Sequence, residues 1–239
     1  MNEKSRDLSS LGFLVAAGFV VAALIVSRTF LSIKKMDDVI SVSGSSKQQV
    51  VSDSARWTGS FSRTVYKDQI RDGYTQMKRD EKTVKDFFAS QGFSSAEISP
   101  VFMNEVWKND SNSPKEYNLV QNVSVRSDDV NKMKELAKNS VRLAESGVMF
   151  SAGSVEFYYS KLPDLRISLL PEAIKDAKKR AEVIAESSGK KVDSVKSVSM
   201  GVVQVMPVGT LDVSDYGSYD TSQIDKDVMI TVKAVFTLK

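Results

Sequence analysis

The sequence predicts an α+β protein: an N-terminal transmembrane helix, then a ferredoxin-like βαββαβ core with an added αββ extension, in the order ββαββαβαββ. Three observations lead there. An uncharged run at residues 11–26 precedes a globular remainder. Residues 55–66 alternate as a half-buried strand and are followed by a long stretch of helical period. Residues 171–189 carry small apolar side chains at Ala173, Ile174, Ala177, Ala181, Ile184 and Ala185, the stripe of a helix lying close against a sheet.

Residues 1–10 are a short polar tail, in which Lys4 and Arg6 balance Glu3 and Asp7. Segment 11–27 reads as a membrane anchor, with Leu11, Phe13, Leu14, Val15, Phe19, Val20, Val21, Leu24, Ile25 and Val26 as its apolar side chains. It is slightly shorter than the roughly 20 residues of a spanning helix, but Arg28 can snorkel and leave Phe30–Ile33 at the interface. A cleaved signal peptide is the alternative. Its best cleavage point, after Ser27, has Ile25 where a small residue is favoured. Lys4 and Arg6 on one side face Arg28, Lys34 and Lys35 on the other, so charge does not set the orientation. Residues 28–37 are a linker, and 38–239 form one domain with no internal boundary.

Within that domain, Val39-Ile-Ser-Val-Ser-Gly reads as a short strand and turn. Residues 68–91 have Ile70, Tyr74, Met77, Val84, Phe87 and Phe88 at helical spacing, with Gly92 as the stop. Residues 97–108 and 117–126 are two strands of a hairpin joined by the turn residues Asn109-Asp-Ser-Asn-Ser-Pro. Ser127 is expected to cap a helix with Asp128 and Asp129 in its first turn and Gly147 at its end. A strand at 155–159 follows. The next helix begins either at Pro171 or at Leu162 with a bend at Pro171, and ends at Gly189. Strands at 192–205 and 228–238 complete the chain.

Composition narrows the chemistry. The chain has no Cys and no His, which removes disulfides, thiolate nucleophiles, Ser-His-Asp arrangements and histidine–zinc sites. Net charge is only +3, with acidic and basic residues interspersed, so no basic stripe is present for a nucleic-acid backbone. Glu172 and Asp176 share a helix face, but Lys175, Lys179 and Arg180 keep both ionised and unsuited to general acid work. Lys178-Lys-Arg is a solvated face, and Trp57 and Trp107 lie in strands as packing residues. No catalytic, cofactor-binding or metal-binding residue is expected.

One loop stands out. Residues 212–225 gather Asp212, Asp215, Asp220 and Asp225 with Tyr216 and Tyr219. Counted from Asp212 as a calcium loop, the fifth place is Tyr216 and the twelfth is Gln223, which fails the ligand pattern. Tyr216, Tyr219 and Asp220 are instead expected to form an interface loop, since Tyr suits a contact with one end buried and the other wet.

Several segments carry a family resemblance. They are Ile40-Ser-Val-Ser-Gly, the hairpin strand Tyr117-Asn-Leu-Val-Gln-Asn-Val-Ser-Val, Asp129-Val-Asn-Lys-Met, and above all Glu172-Ala-Ile-Lys-Asp-Ala-Lys-Lys-Arg-Ala-Glu-Val-Ile-Ala-Glu-Ser-Ser-Gly. In that order they resemble the SIMPL-domain family of bacterial envelope proteins, which includes periplasmic immunogenic and oxidative-stress-defence members. Tyr158-Tyr-Ser-Lys-Leu-Pro-Asp-Leu-Arg, Gly201-Val-Val-Gln-Val and Tyr216-Gly-Ser-Tyr-Asp-Thr-Ser resemble a membrane-anchored subgroup. The resemblance implies an extracytoplasmic place, a tendency to form homo-oligomers, and no established catalytic residues.

The expected function is therefore that of a non-enzymatic envelope protein, single-pass in the inner membrane, with its domain on the periplasmic side. It would self-assemble or bind a protein partner, in envelope or oxidative-stress tolerance. The alternative is a periplasmic module for a small ligand, and a carboxylate-dependent enzyme comes third.

Overall fold

In a computed structural model, residues 16–29, 38–109, 113–210 and 213–239 are described. Residues 16–29 are helical (α1), and the apolar side chains expected to face lipid are exposed there, Phe19 at 74%. No helix among the described residues is long and apolar enough to cross a membrane. Residues 11–15 of the expected anchor, among them Leu11, Phe13, Leu14 and Val15, lie outside the described residues.

The protein is α+β with two sheets. Its elements follow as β1 (Val39–Val51), β2 (Ser54–Tyr66), α2 (Ile70–Ser90), β3 (Glu97–Ile98), β4 (Phe102–Val106), β5 (Glu116–Ser127), α3 (Val130–Asn139), α4 (Val141–Glu145), β6 (Phe150–Tyr158), α5 (Leu162–Ser187), β7 (Val192–Pro207), β8 (Ser218–Tyr219) and β9 (Asp225–Leu238). One sheet has the order β1-β9-β7-β8; the other has the order β3-β5-β2-β6, with β4 also paired to β5. Contacts divide the chain into two compact units. One comprises residues 1–46, 169–201 and 230–239; the other comprises 47–168 and 202–229.

In the first unit the alanines of the expected stripe are buried, whereas Ile174 is only partly buried and Ile184 is 50% exposed. Ala173, Ala177, Ala181 and Ala185 are all fully buried, as are Ile230, Ala234 and, very nearly, Val232 and Phe236 of β9. Methyl-sized side chains let α5 approach β1 until Gly44 touches it: a Cβ on Gly44 would lie 2.3 Å from the Ala173 carbonyl oxygen and 2.7 Å from the Ala177 Cβ. Asp176 fastens the same contact. Its Oδ2 accepts the Ser45 backbone N–H at 2.9 Å and pairs with Arg180 at 2.9 Å, and these partners, the backbone one first, hold the carboxyl below its ordinary range. The helix begins at Leu162 and runs through Pro171, and Gly189 supplies the left-handed turn after it at φ +72°.

In the second unit, helices α2 and α3 pack one face of the five-stranded sheet. Ala55, Trp57, Phe61 and Val65 of β2 and Leu119, Val123 and Val125 of β5 meet Met77, Val84, Phe88, Met133 and Leu136. The Trp57 ring centroid lies 5.9 Å from Phe88 and 5.7 Å from Phe150, and its indole N–H donates to the Gly153 carbonyl at 2.9 Å. One ion pair enters this layer: Arg63 of β2 forms two hydrogen bonds, 2.6 and 2.8 Å, to the buried carboxylate of Asp80.

Three local expectations change. The strand expected over 97–108 is two strands, because Pro100 offers no N–H to a ladder and interrupts it. β4 ends at Val106, so Trp107 falls past it and is 84% exposed. The helix expected to run to Gly147 breaks at Ser140 into α3 and α4, where Ser140 Oγ donates to the Ala137 carbonyl at 2.7 Å. Its N-cap is Asp129, which accepts the Lys132 N–H, while Ser127 Oγ accepts from Asp129 one step earlier.

Candidate functional site

The helices cover one face of the five-stranded sheet and leave the other open. On β2 the alternation that buries Trp57 and Phe61 turns Arg56, Thr58, Ser60 and Ser62 outward. The antiparallel register sets these against Arg126, Ser124, Asn122 and Val120 of β5. Most of the open face is thus hydroxyl and amide. A shallow groove of about 670 Å³ runs across it, lined by Thr58, Ser60, Glu97, Asn122, Ser124 and Ser151 among others.

At one end the chemistry becomes ionic. Arg56 and Arg126 are cross-strand partners and, with Ser54, Ala55 and Tyr158, line a second pocket of about 310 Å³. Glu156 of β6 sits opposite Arg56; its Oε2 lies 3.1 Å from Arg56 Nε and accepts the Tyr158 hydroxyl at 2.8 Å. The Arg56 Nε–H is close to that oxygen but misaligned, and this buried nitrogen has no hydrogen-bond partner among the described residues. Burial, then the bond to Glu156, pushes the Tyr158 phenol above its ordinary value.

The tyrosine- and aspartate-rich loop is organised by a residue that the sequence analysis did not single out. Lys226 is completely buried. Its ammonium donates to the carbonyls of Asp220 and Gln223, each at 2.6 Å, and to Asp220 Oδ2 at 3.2 Å. Burial lowers the affinity of this amine for its proton, and the bond to Asp220 only partly opposes that. Asp220 also accepts from Ser222 and Gln223. Burial alone would raise its pKa, but these hydrogen bonds and Lys226 outweigh that and hold it low. The carboxylate is consumed in shaping the turn.

The three residues expected to form one interface are placed differently. Tyr219 belongs to β8, paired in parallel with Val205, and its hydroxyl accepts the Tyr159 N–H at 3.0 Å. Its ring lies 5.9 Å from Tyr158, joining the loop to the Arg56 cluster. Tyr216 projects alone and is 97% exposed. Asp220 is the turn's anchor, and Asp212 lies outside the described residues. Lys226 stands between Asp225 and Asp227, ahead of the apolar run that opens at Val228, and nothing in its spacing signals this clamp.

In the first unit the feature open to a partner is a strand edge. β8 pairs with Gln204 and Val205, so, among the described residues, 192–201 of β7 have a neighbouring strand on the β9 side alone. Val195, Val198 and Met200 are exposed along it. β1, at the opposite end of the sheet, is polar at Ser41, Ser43 and Ser45, and its Ser45 N–H is taken by Asp176.

The fold is α+β with two sheets, one of them carrying a polar face not covered by α2 and α3. The family model described as SIMPL, a protein of unknown function (DUF541), matches residues 40–236, and the chain belongs to the SIMPL family. No curated protein matches it.

Proposed function

We propose that the chain is a non-enzymatic envelope protein whose SIMPL domain, built around a ferredoxin-like βαββαβ core, assembles with copies of itself outside the cytoplasm. The uncharged segment 11–26 would hold it to the inner membrane, with residues 38–239 on the periplasmic side. A role in envelope or oxidative-stress tolerance rests on the family resemblance.

The observation that carries the assembly reading is the β7 edge. Bare backbone donors and acceptors flanked by exposed Val195, Val198 and Met200 are a template for another strand. A second copy suits it because residues 192–201 carry one acid and one base, Asp193 and Lys196. Antiparallel pairing about a two-fold axis between Ser194 and Val195 sets Asp193 of each copy against Lys196 of the other.

The chain's lack of cysteine makes the test clean. Asp193→Cys and Lys196→Cys proteins, mixed under mild oxidation, should give a disulfide-linked heterodimer, because directly opposed residues fall within bridging distance. Cross-linking no faster than between cysteines placed at Ser41 and Ser43 on the β1 edge would refute this interface. Protease added to spheroplasts should digest residues 38–239; full protection would refute the placement.

A further inference from the structure

We propose that the pocket between Arg56 and Arg126 binds a compact oxyanion, the phosphate or carboxylate head of an anionic ligand. Two arginines directly opposed across an antiparallel pair repel each other, and such pairs destabilise a sheet unless a counter-charge sits between them. The acid that faces them is Glu156, whose Oε2 accepts the Tyr158 hydroxyl and lies near Arg56 Nε without an aligned hydrogen bond to it. A single carboxylate set against two guanidinium groups leaves the cluster with excess positive charge. Arg126 is exposed and makes no ion pair among the described residues, while the buried Arg56 Nε–H lacks an aligned acceptor.

Guanidinium groups offer forked N–H donors that match the paired oxygens of phosphate and carboxylate. A ligand oxygen entering the pocket of about 310 Å³ would meet Arg126 from β5, Arg56 from β2 and the Ser54 hydroxyl at the rim. The Tyr158 ring, braced by Tyr219, forms its wall. Glu156 repels an anion and limits affinity, so binding should be modest and sensitive to salt. The site lies wholly within the second unit and does not depend on the assembly reading.

The test is equilibrium dialysis of the purified full chain in detergent against radiolabelled inorganic phosphate at fixed ionic strength, with succinate as competitor. The expected result is saturable binding of one phosphate per chain, weakened about tenfold or more in Arg126→Gln and less in Arg126→Lys. Displacement by succinate at comparable concentration would assign the site to carboxylates as well; phosphate binding indifferent to succinate would assign it to phosphate alone. A thermal melt in phosphate-free buffer checks that Arg126→Gln is folded, and if it is not, Arg56→Lys and Arg126→Lys carry the comparison. Saturable binding of neither anion, or binding unchanged in the folded variants, would overturn the proposal.

Discussion

Gly44 lies so close to Ala177 that a Cβ on the glycine would sit 2.4 Å from the Ala177 backbone nitrogen and 2.7 Å from its Cβ. The obstructing atoms are mostly helix backbone, which cannot swing aside. Gly44→Ala should therefore destabilise the protein by about 3 kcal/mol, the upper part of the range for overpacking. Urea denaturation measures it. A change below about 0.5 kcal/mol would mean that α5 can retreat from β1.

Lys226 and Asp220 give a second expectation. Removing the ammonium leaves the Asp220 carboxylate, mostly buried, and two carbonyls without their donor. Lys226→Ala should cost about 3 kcal/mol or more, since half of a buried pair is worse than none. The loss should be local in one further respect: amides of residues 218–224 should lose hydrogen-exchange protection before those of β5.

Asp80 is the buried half of the Arg63 pair, and its hydrogen bonds hold the guanidinium above its ordinary pKa. Asp80→Ala should destabilise by about 2–3 kcal/mol, and Asp80→Asn by less, because the amide still accepts one guanidinium hydrogen bond. Calorimetric melting of the two variants gives the ranking.

Acid stability follows from three carboxyls. Asp220, Asp176 and Glu81 are all held below their ordinary values, Glu81 chiefly by Lys85 and then by Gln121. A carboxyl with a depressed folded value contributes stability that is complete above the unfolded value, near 4, and is lost as pH falls through the folded one. The denaturation midpoint should fall steadily below about pH 4, and the fall should be shallower in Asp220→Asn. Lys226 acts with the opposite charge: its depressed value means the unfolded chain holds the proton more tightly, so its contribution rises with pH up to the ordinary lysine range.

Much of this was legible in the chain because the signals are periodic. Ala173, Ala177, Ala181 and Ala185 announce a face of α5, and Trp57, Phe61 and Val65 announce a face of β2; every one of them is buried. The division into two units left no such mark. It passes through the middle of β1, β7 and β9, where no linker composition exists to be read. The candidate oxyanion pocket was invisible for a related reason. Arg56 and Arg126 are far apart in sequence and become neighbours only through the β2–β5 register. Lys226 was not readable at all, since a lysine between two aspartates reads as surface and two of its partners are backbone carbonyls.

Light scattering of residues 36–239 should give the mass of a discrete oligomer in solution. Val198→Lys on the β7 edge should reduce it to a monomer without loss of folded structure, because a lysine on a bare edge opposes pairing. A monomer at every concentration, or an oligomer untouched by Val198→Lys, would contradict assembly through this edge.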